Sequence, residues 1–554
     1  MIKEKEPFRP RLPEGPVSMY VCGVTVYDYS HIGHARVYVA FDTLYRFLRD
    51  ACGYPVTYVR NFTDIDDKII ARAQQSGVPP EQLTERFIAE FAADMSSLNV
   101  LPPSLEPRAT AFVPSMIATI QAIMGNGHAY AVEGGDVFFD TASLHGYGRL
   151  SGRAAEDNRA GERVAVDPRK RSAADFALWK AAKPGEPSWP SPWGPGRPGW
   201  HIECSSMIAE LMGPVIDIHG GGRDLVFPHH ENELAQSQAA CGCGRSHGRG
   251  DGHGHGHEHE HGAGSSSPQL HNGTDFVRYW LHNGFVNVDS EKMSKSLGNF
   301  FTIRHYRAPL NYSDKGLEEA SARLYYVLQA RADVVEALRA AGPDGERAVT
   351  EAQAQLSPSS SAGTPPPPPA PAASTSGRGG KASSSASAPG PGAALMSEVL
   401  LSLADDLNTP AAVGALSGPL RTINDLLTTK AGKKRPDRLA VLAQLHVALS
   451  RVMALVGMER QPAGQQTGAA AGGLQAEGAA LEAVLGELRA LALVRLGMSE
   501  EQVADAIRER AEARAAKDFA RSDAIRIELA AKGILLLDSP QGTTWRPGTG
   551  TGTD

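Results

Sequence analysis

Residues 17–64 read VSMYVCGVTVYDYSHIGHARVYVAFDTLYRFLRDACGYPVTYVRNFTD, and their pattern decides the architecture. The run VSMYVCGVTVY is β-branched and aromatic, as a buried strand requires. GHARVYVAFDTLYRFLRDACG carries helical spacing and stops at Gly53, and PVTYVRNFTD is a second strand. Strand, helix and strand in that order predict a β-α-β unit, hence a parallel sheet with its ligand site at the carboxyl ends of the strands. Cys22 and the tetrad His31-Ile32-Gly33-His34 fall where the first strand turns into the first helix. At such a junction the unpaired N–H groups of a helix start can face a phosphate.

Outward from this unit the chain divides by composition. From about residue 315 the periodicity turns helical, in GLEEASARLYYVLQARADVVEALRAAG, ALMSEVLLSLADDLNTPAAVGALSGPLRTINDLL and RLAVLAQLHVALSRVMALVG. Two stretches, 241–270 (His/Gly-rich) and 356–395 (Ser/Pro/Ala-rich), hold too little apolar surface to offset their ordering entropy and are expected to be disordered, and 461–477 reads as a linker. The expected organisation is an α/β domain over 1–314 with an insertion at about 100–195, a helical segment at 315–355, a helical bundle at 396–460 and a C-terminal region at 478–554. A chain of 554 residues with 42% hydrophobic content supports at least one large core, and a formal charge of −7 neither supports nor excludes a polyanion partner. Five cysteines, at 22, 52, 204, 241 and 243, are too few for a disulfide framework and point to a reducing compartment. No targeting segment is visible in the charged, proline-rich start, and no run is expected to span a bilayer.

Beyond the Cys22–His34 stretch, chemistry concentrates in three segments. EKMSKSLGN at 291–299 places Lys292 and Lys295 three apart in a loop-like stretch. GWHIECSSM contributes Cys204, and DIHGGGRDLVFPHHENELAQ contributes paired histidines followed by acids. His229 and Glu233 are four apart, so on a helix they share one face, which suits two ligands to one ion. Cys22, Cys204, His229 and Glu233 form a plausible zinc set, although spacing leaves open whether His229 or His230 serves and whether so distant a cysteine joins. A buried structural cysteine and a helix start capped at Pro228 are the competing readings.

HIGH and KMSKS together resemble the two signatures of class I aminoacyl-tRNA synthetases. That resemblance implies in-line attack of an amino acid on the α-phosphate of ATP, with His31 and His34 donating hydrogen bonds to the phosphates. It also implies that Gly33 clears space for adenine and that Lys292 and Lys295 close over the pyrophosphate. Segments 18–72, 196–240, 276–303 and 500–546 further resemble the cysteinyl-tRNA synthetase family of the bacterial and plant-organellar type. This implies a Rossmann-like catalytic domain with a connective insertion, followed by an all-α tRNA-binding C-terminal domain with a DALR-like bundle and an anticodon-binding end that includes Trp545. It implies one Zn2+ on Cys22, Cys204, His229 and Glu233, Mg2+ with ATP, and L-cysteine and tRNA(Cys) as further partners. Thr63, Trp200 and His219 are then expected near the cysteine, and Gly222 and Asp224 near the adenylate ribose. A monomer in the cytoplasm or an organelle is expected, as is cysteine persulfide synthesis with pyridoxal phosphate as a secondary activity.

The run 508–526 holds Arg508, Arg510, Arg514, Lys517, Arg521 and Arg526 against four acids, so one face of a helix there could meet phosphates. Two other functions compete with tRNA charging: a cysteine ligase acting on an amino-sugar, which would lack the C-terminal end, and a metal-buffering protein built on Cys241, Cys243 and the histidines at 247–261. The resemblance also breaks once, where Arg304 runs directly into His305 and the family has a further helical stretch.

Overall fold

A computed structural model describes residues 6–153, 167–241, 276–284, 287–288, 291–292, 314–357, 389–459, 473–539 and 542–548. The expected disordered run beyond Cys241, most of the one at 356–395, the break at Arg304–His305 and Lys295 lie outside these residues; contrary to expectation, the second run is helical from Pro391 and the expected linker from Gly473. The chain divides into two compact units, one holding Met1–Phe41 and Tyr54–Phe285, the other Asp42–Gly53 and nearly everything after Val286.

The first unit is built on the predicted β-α-β. Strand β1 (Val17–Thr25) leads into helix α1 (Ile32–Arg46), and β2 (Val56–Thr63) pairs with β1 in parallel. Helices α2 (Asp67–Ser76), α3 (Pro80–Ser97) and α4 (Val113–Gly125) follow. A separate antiparallel sheet, β3 (Ala129–Ala131), β4 (Val137–Phe139), β5 (Phe176–Ala181) and β6 (Gly196–Pro198), packs Trp179 and Phe139 into a core shared with Met116 and Ile120 of α4 and with Ile202 and Met207. The chain then returns through α5 (Trp200–Met212), β7 (Ile216–Gly222), α6 (Glu231–Cys241) and β8 (Val277–Asn283).

The main sheet has the order β2-β1-β7-β8, all parallel. From β1 the chain crosses to one side, and β7 later begins on the other. The crevice at the carboxyl ends of β1 and β7 is therefore the topological switch point, where open α/β sheets bind ligands. Near that end the β1–β2 register shifts between Val21 and Val24, and Gly23 sits in the irregularity. A Cβ there would lie 1.5 Å from the Asn61 carbonyl oxygen, so only glycine admits this approach beside Cys22.

The second unit includes a short hairpin, β9 (Asn287–Val288) and β10 (Glu291–Lys292), and is otherwise mostly helical. Its helices are α7 (Asp314–Ala340), α8 (Pro343–Leu356), α9 (Pro391–Ala404), α10 (Thr409–Gly414), α11 (Ser417–Thr428), α12 (Lys430–Lys433), α13 (Arg438–Leu455), α14 (Gly473–Leu496), α15 (Glu500–Ala515) and α16 (Phe519–Ala531). Helix α13 is the spine of its core, burying Leu442, Leu445, Leu449, Val452 and Met453. It has the length and apolarity to cross a membrane, contrary to the sequence expectation, but 61% of it is buried inside the fold.

Two expectations for the C-terminal end are amended. The helical region closes on a β-hairpin, β11 (Ile534–Ser539) and β12 (Gly542–Pro547), whose Trp545 packs with Val503, Ile525 and Leu529. The basic run 508–526 is not one helix, because Lys517 adopts a φ of 62° between α15 and α16. Its arginines are also largely occupied: Arg510 and Arg514 bind Asp538, Arg521 binds Glu509, and Arg508 pairs with Asp505.

Candidate active site and metal centre

Four elements deliver side chains to the switch point. Cys22 comes from β1, Cys204 from α5, His219 from β7, and Glu233 from the first turn of α6, with His229 and His230 in the turn just before it. The predicted i, i+4 relation holds in an unusual form. His229 lies in a π-turn whose Phe227 is extended, Glu233 lies in the first turn of α6, and His229 Nε2 reaches Glu233 Oε1 at 2.9 Å.

The donor atoms of Cys22, Cys204, His229 and Glu233 all lie within 4.8 Å of one another, and all four residues are buried. The same holds for Cys22, His219, His230 and Glu233. Both histidines of the doublet thus contribute, one to each set, with Cys22 and Glu233 common to both. The Cys22 and Cys204 sulfurs are 3.9 Å apart as free thiols. Cys22 Sγ is 3.4 Å from His230 Nε2 and 3.6 Å from Glu233 Oε1. His219 Nε2 binds Glu233 Oε2 at 2.6 Å, and among the described residues its buried Nδ1 has no hydrogen-bond partner.

The electrostatics fit a divalent cation. Hydrogen bonding from Cys22 holds the Cys204 thiol down to about 6, against its burial. Burial pushes the Cys22 thiol up, reinforced by Cys204 and Glu233. Burial alone would lower His229, but the Glu233 carboxylate and the Cys204 sulfur raise it to about 10. Glu233 stays well below the ordinary carboxylate range because His219 and His229 outweigh its burial. Two soft sulfurs, imidazole nitrogen and a carboxylate, drawn from separate elements into a dry pocket, match the donor chemistry of a tetrahedral zinc site.

Sequence reasoning missed the groups that surround this set. His201 Nδ1 lies 2.9 Å from His229 Nδ1, and His230 Nδ1 lies 2.7 Å from His282 Nε2. Glu231 accepts from the backbone N–H of Gly148, Leu150 and Ser151, fastening that loop to the start of α6. Only the abundance of His in these segments hinted at them. Of the expected cysteine neighbours, Trp200 stacks on His229 with centroids 4.2 Å apart, and Thr63 Oγ1 donates to the buried Glu203 Oε2 at 2.8 Å.

The tetrad His31–His34 opens α1. The His31 and His34 rings stack at 3.9 Å, and His31 Nδ1 accepts from the Gly33 N–H at 3.1 Å. A Cβ on Gly33 would lie 2.7 Å from the His31 ring, so a larger residue there would push that ring from its place. Gly222 ends β7, and a Cβ there would lie 2.5 Å from Asp224 Oδ1. Lys292 is placed only by its backbone, in β10 paired with Asn287.

Fold and site together define a class. A family model described as tRNA synthetases class I (C) catalytic domain matches residues 8–248 and 247–317, a DALR domain matches 399–458, and a cysteinyl-tRNA ligase anticodon-binding domain matches 500–546. The chain is thus a class I aminoacyl-tRNA synthetase by architecture. Among relatives, the "Cysteine--tRNA ligase, chloroplastic/mitochondrial" of Arabidopsis thaliana is 46% identical, over 99% of this chain and 85% of the relative. A "Cysteine--tRNA ligase CPS1 homolog, chloroplastic/mitochondrial" of Oryza sativa subsp. japonica is 47% identical, over 98% and 84%. The "Cysteine--tRNA ligase" of Trichlorobacter lovleyi is 44% identical, over 98% and 97%. The chain belongs to the cysteine–tRNA ligase family.

Proposed function

We propose that this enzyme activates L-cysteine with ATP to cysteinyl-adenylate and transfers the cysteine to the 3′ end of tRNA(Cys). The observation that carries the reading is the convergence of buried Cys22, Cys204, His229 and Glu233 at the switch point of the sheet. These four residues would hold Zn2+, which when bound offers a soft Lewis-acid centre to the substrate thiolate and a poor one to a hydroxyl.

The chain's own groups do the rest. Trp200, itself partly exposed, stacks over His229 to steady one ligand, and Thr63, held by Glu203 at the end of β2, faces the cysteine in this reading. His31 and His34, preorganised by stacking, donate hydrogen bonds to the phosphates of ATP, which enters with Mg2+. Asp224, beside Gly222, receives the ribose hydroxyls, and Lys292 and Lys295 neutralise the leaving pyrophosphate. Binding both reactants along one strand-to-helix connection replaces a bimolecular encounter by a positioned one. The anticodon-binding match at 500–546 supports tRNA over an amino-sugar as acceptor. The names of the plant relatives and the bacterial source of the third support an organellar or cytoplasmic compartment. Cysteine persulfide synthesis remains a secondary part of this proposal, tested by persulfide formation on adding pyridoxal phosphate and cysteine.

The test is ATP–pyrophosphate exchange with cysteine and with serine. Exchange is expected with cysteine and at least ~10⁴-fold less with serine, the discrimination a site gains when the wrong substrate leaves its polar groups unmatched. Comparable exchange with both amino acids would overturn the thiolate reading.

A further inference from the structure

The arginines of 508–526 are mostly engaged by acids of the folded chain, which leaves open where cations face solvent in the helical unit. The turn between α11 and α13 supplies them. Its segment 425–438, DLLTTKAGKKRPDR, holds Lys430, Lys433, Lys434, Arg435 and Arg438 against Asp425 and Asp437, a formal +3 in a chain of −7.

The turn is built rather than loose. Thr429 Oγ1 accepts from the Gly432 N–H at 2.9 Å and donates to the Asp425 carbonyl at 3.0 Å. Gly432 is buried against the end of α11, where a Cβ would lie 2.2 Å from that same carbonyl oxygen. Both arginines serve the turn: Arg435 makes a two-pronged bond to Asp437, at 2.9 and 2.6 Å, and Arg438 Nε donates to the Leu426 carbonyl at 3.0 Å. The three lysines do not. Lys430, Lys433 and Lys434 are exposed, and among the described residues none forms an ion pair. Lys430 and Lys433 are three apart on the single turn of α12 and Lys434 follows directly at its end, so three like charges fall within five residues. A rigid turn that spends its arginines on its own geometry and holds three unpaired ammonium groups together fits a polyanion with regularly repeated charges.

We propose that Lys430, Lys433 and Lys434 form a docking point for the phosphate backbone of tRNA, a deepening of the ligase reading on which it rests. Lysine ammonium groups act as point charges, so the contact would position the RNA without reading its sequence.

The experiment compares the full-length chain with two triple variants, Lys430→Ala/Lys433→Ala/Lys434→Ala and Lys430→Arg/Lys433→Arg/Lys434→Arg. Equilibrium binding of a tRNA(Cys) transcript is measured across a salt series, beside cysteine-dependent ATP–pyrophosphate exchange without RNA. The alanine variant is expected to keep wild-type exchange while its slope of log K against log salt flattens by about 2, from three contacts at ~0.7 each. The arginine variant is expected to keep the wild-type slope. An unchanged slope in the alanine variant overturns the proposal, and so does a lost interaction with anionic phosphatidylserine vesicles at unchanged RNA slope, which would make the turn a membrane contact. A wild-type chain that neither exchanges nor charges but shows the lysine-dependent slope would overturn the ligase reading and leave the docking surface standing.

Discussion

The sharpest test of the metal centre is Cys204→Ser, because the two overlapping donor sets make opposite forecasts for it. Cys22 and Glu233 belong to both sets, so removing either weakens metal binding wherever the ion sits. Cys204 and His229 belong only to the first. In the wild type the Cys204 thiol is held down to about 6 by Cys22, which favours the anionic soft ligand, whereas a serine hydroxyl stays neutral. Losing a partner that only orients a ligand costs about 10–100-fold in metal affinity, so losing the ligand itself should cost at least ~10²-fold, or upwards of about 2.7 kcal/mol. Zinc per chain after dialysis against a graded chelator series measures the affinity. In the cobalt(II)-substituted protein, the thiolate-to-metal charge-transfer band counts the sulfur ligands. Cys204→Ser is expected to lose zinc at a chelator strength that wild type withstands, to halve the cobalt–thiolate band, and to lose cysteine-dependent exchange with it. A variant with one zinc per chain, wild-type chelator resistance and full exchange would refute the assignment and move the ion to Cys22, His219, His230 and Glu233.

Other consequences follow from packing and charge. Gly33→Ala should displace the His31 ring and cut exchange by about 10²-fold with zinc content unchanged, since misplacement near 1 Å costs that much; steady-state exchange kinetics beside metal analysis check it. Arg331 is fully buried between Glu459 and Glu477, so Arg331→Ala should destabilise the helical unit by about 3–5 kcal/mol, read from urea unfolding followed by circular dichroism. Burial would raise the Glu477 carboxyl, yet His446 and Arg331 hold it below its ordinary value. A depressed folded-state value means that its stabilisation is present above the unfolded value and disappears as pH falls through the folded one; Glu477→Gln should therefore flatten the acid side of a urea-midpoint profile.

The architecture of the first unit was legible because it rests on local pattern. The β-branched run around Cys22 and the helical spacing up to Gly53 each state their own conformation, and parallel pairing follows from their order. The His229–Glu233 relation was legible for the same reason, since four residues on a helical turn share a face. The C-terminal hairpin and the break at Lys517 were not, because a single positive-φ residue carries no periodic signal.

By itself, then, the sequence determined the parallel β-α-β core, the helical second half and the residue types able to hold a thiol and a nucleotide, all properties of short segments. Tertiary structure alone decided that Cys22 and Cys204, 182 positions apart, meet within 3.9 Å, and that each histidine of the doublet serves a different donor set. It also decided which cations are paired: the arginines of 508–526 find acids such as Asp538 across the fold, while among the described residues Lys430, Lys433 and Lys434 find none. Pairing of charges and convergence of ligands depend on distances between segments remote in the chain, and local spacing carries no measure of those distances.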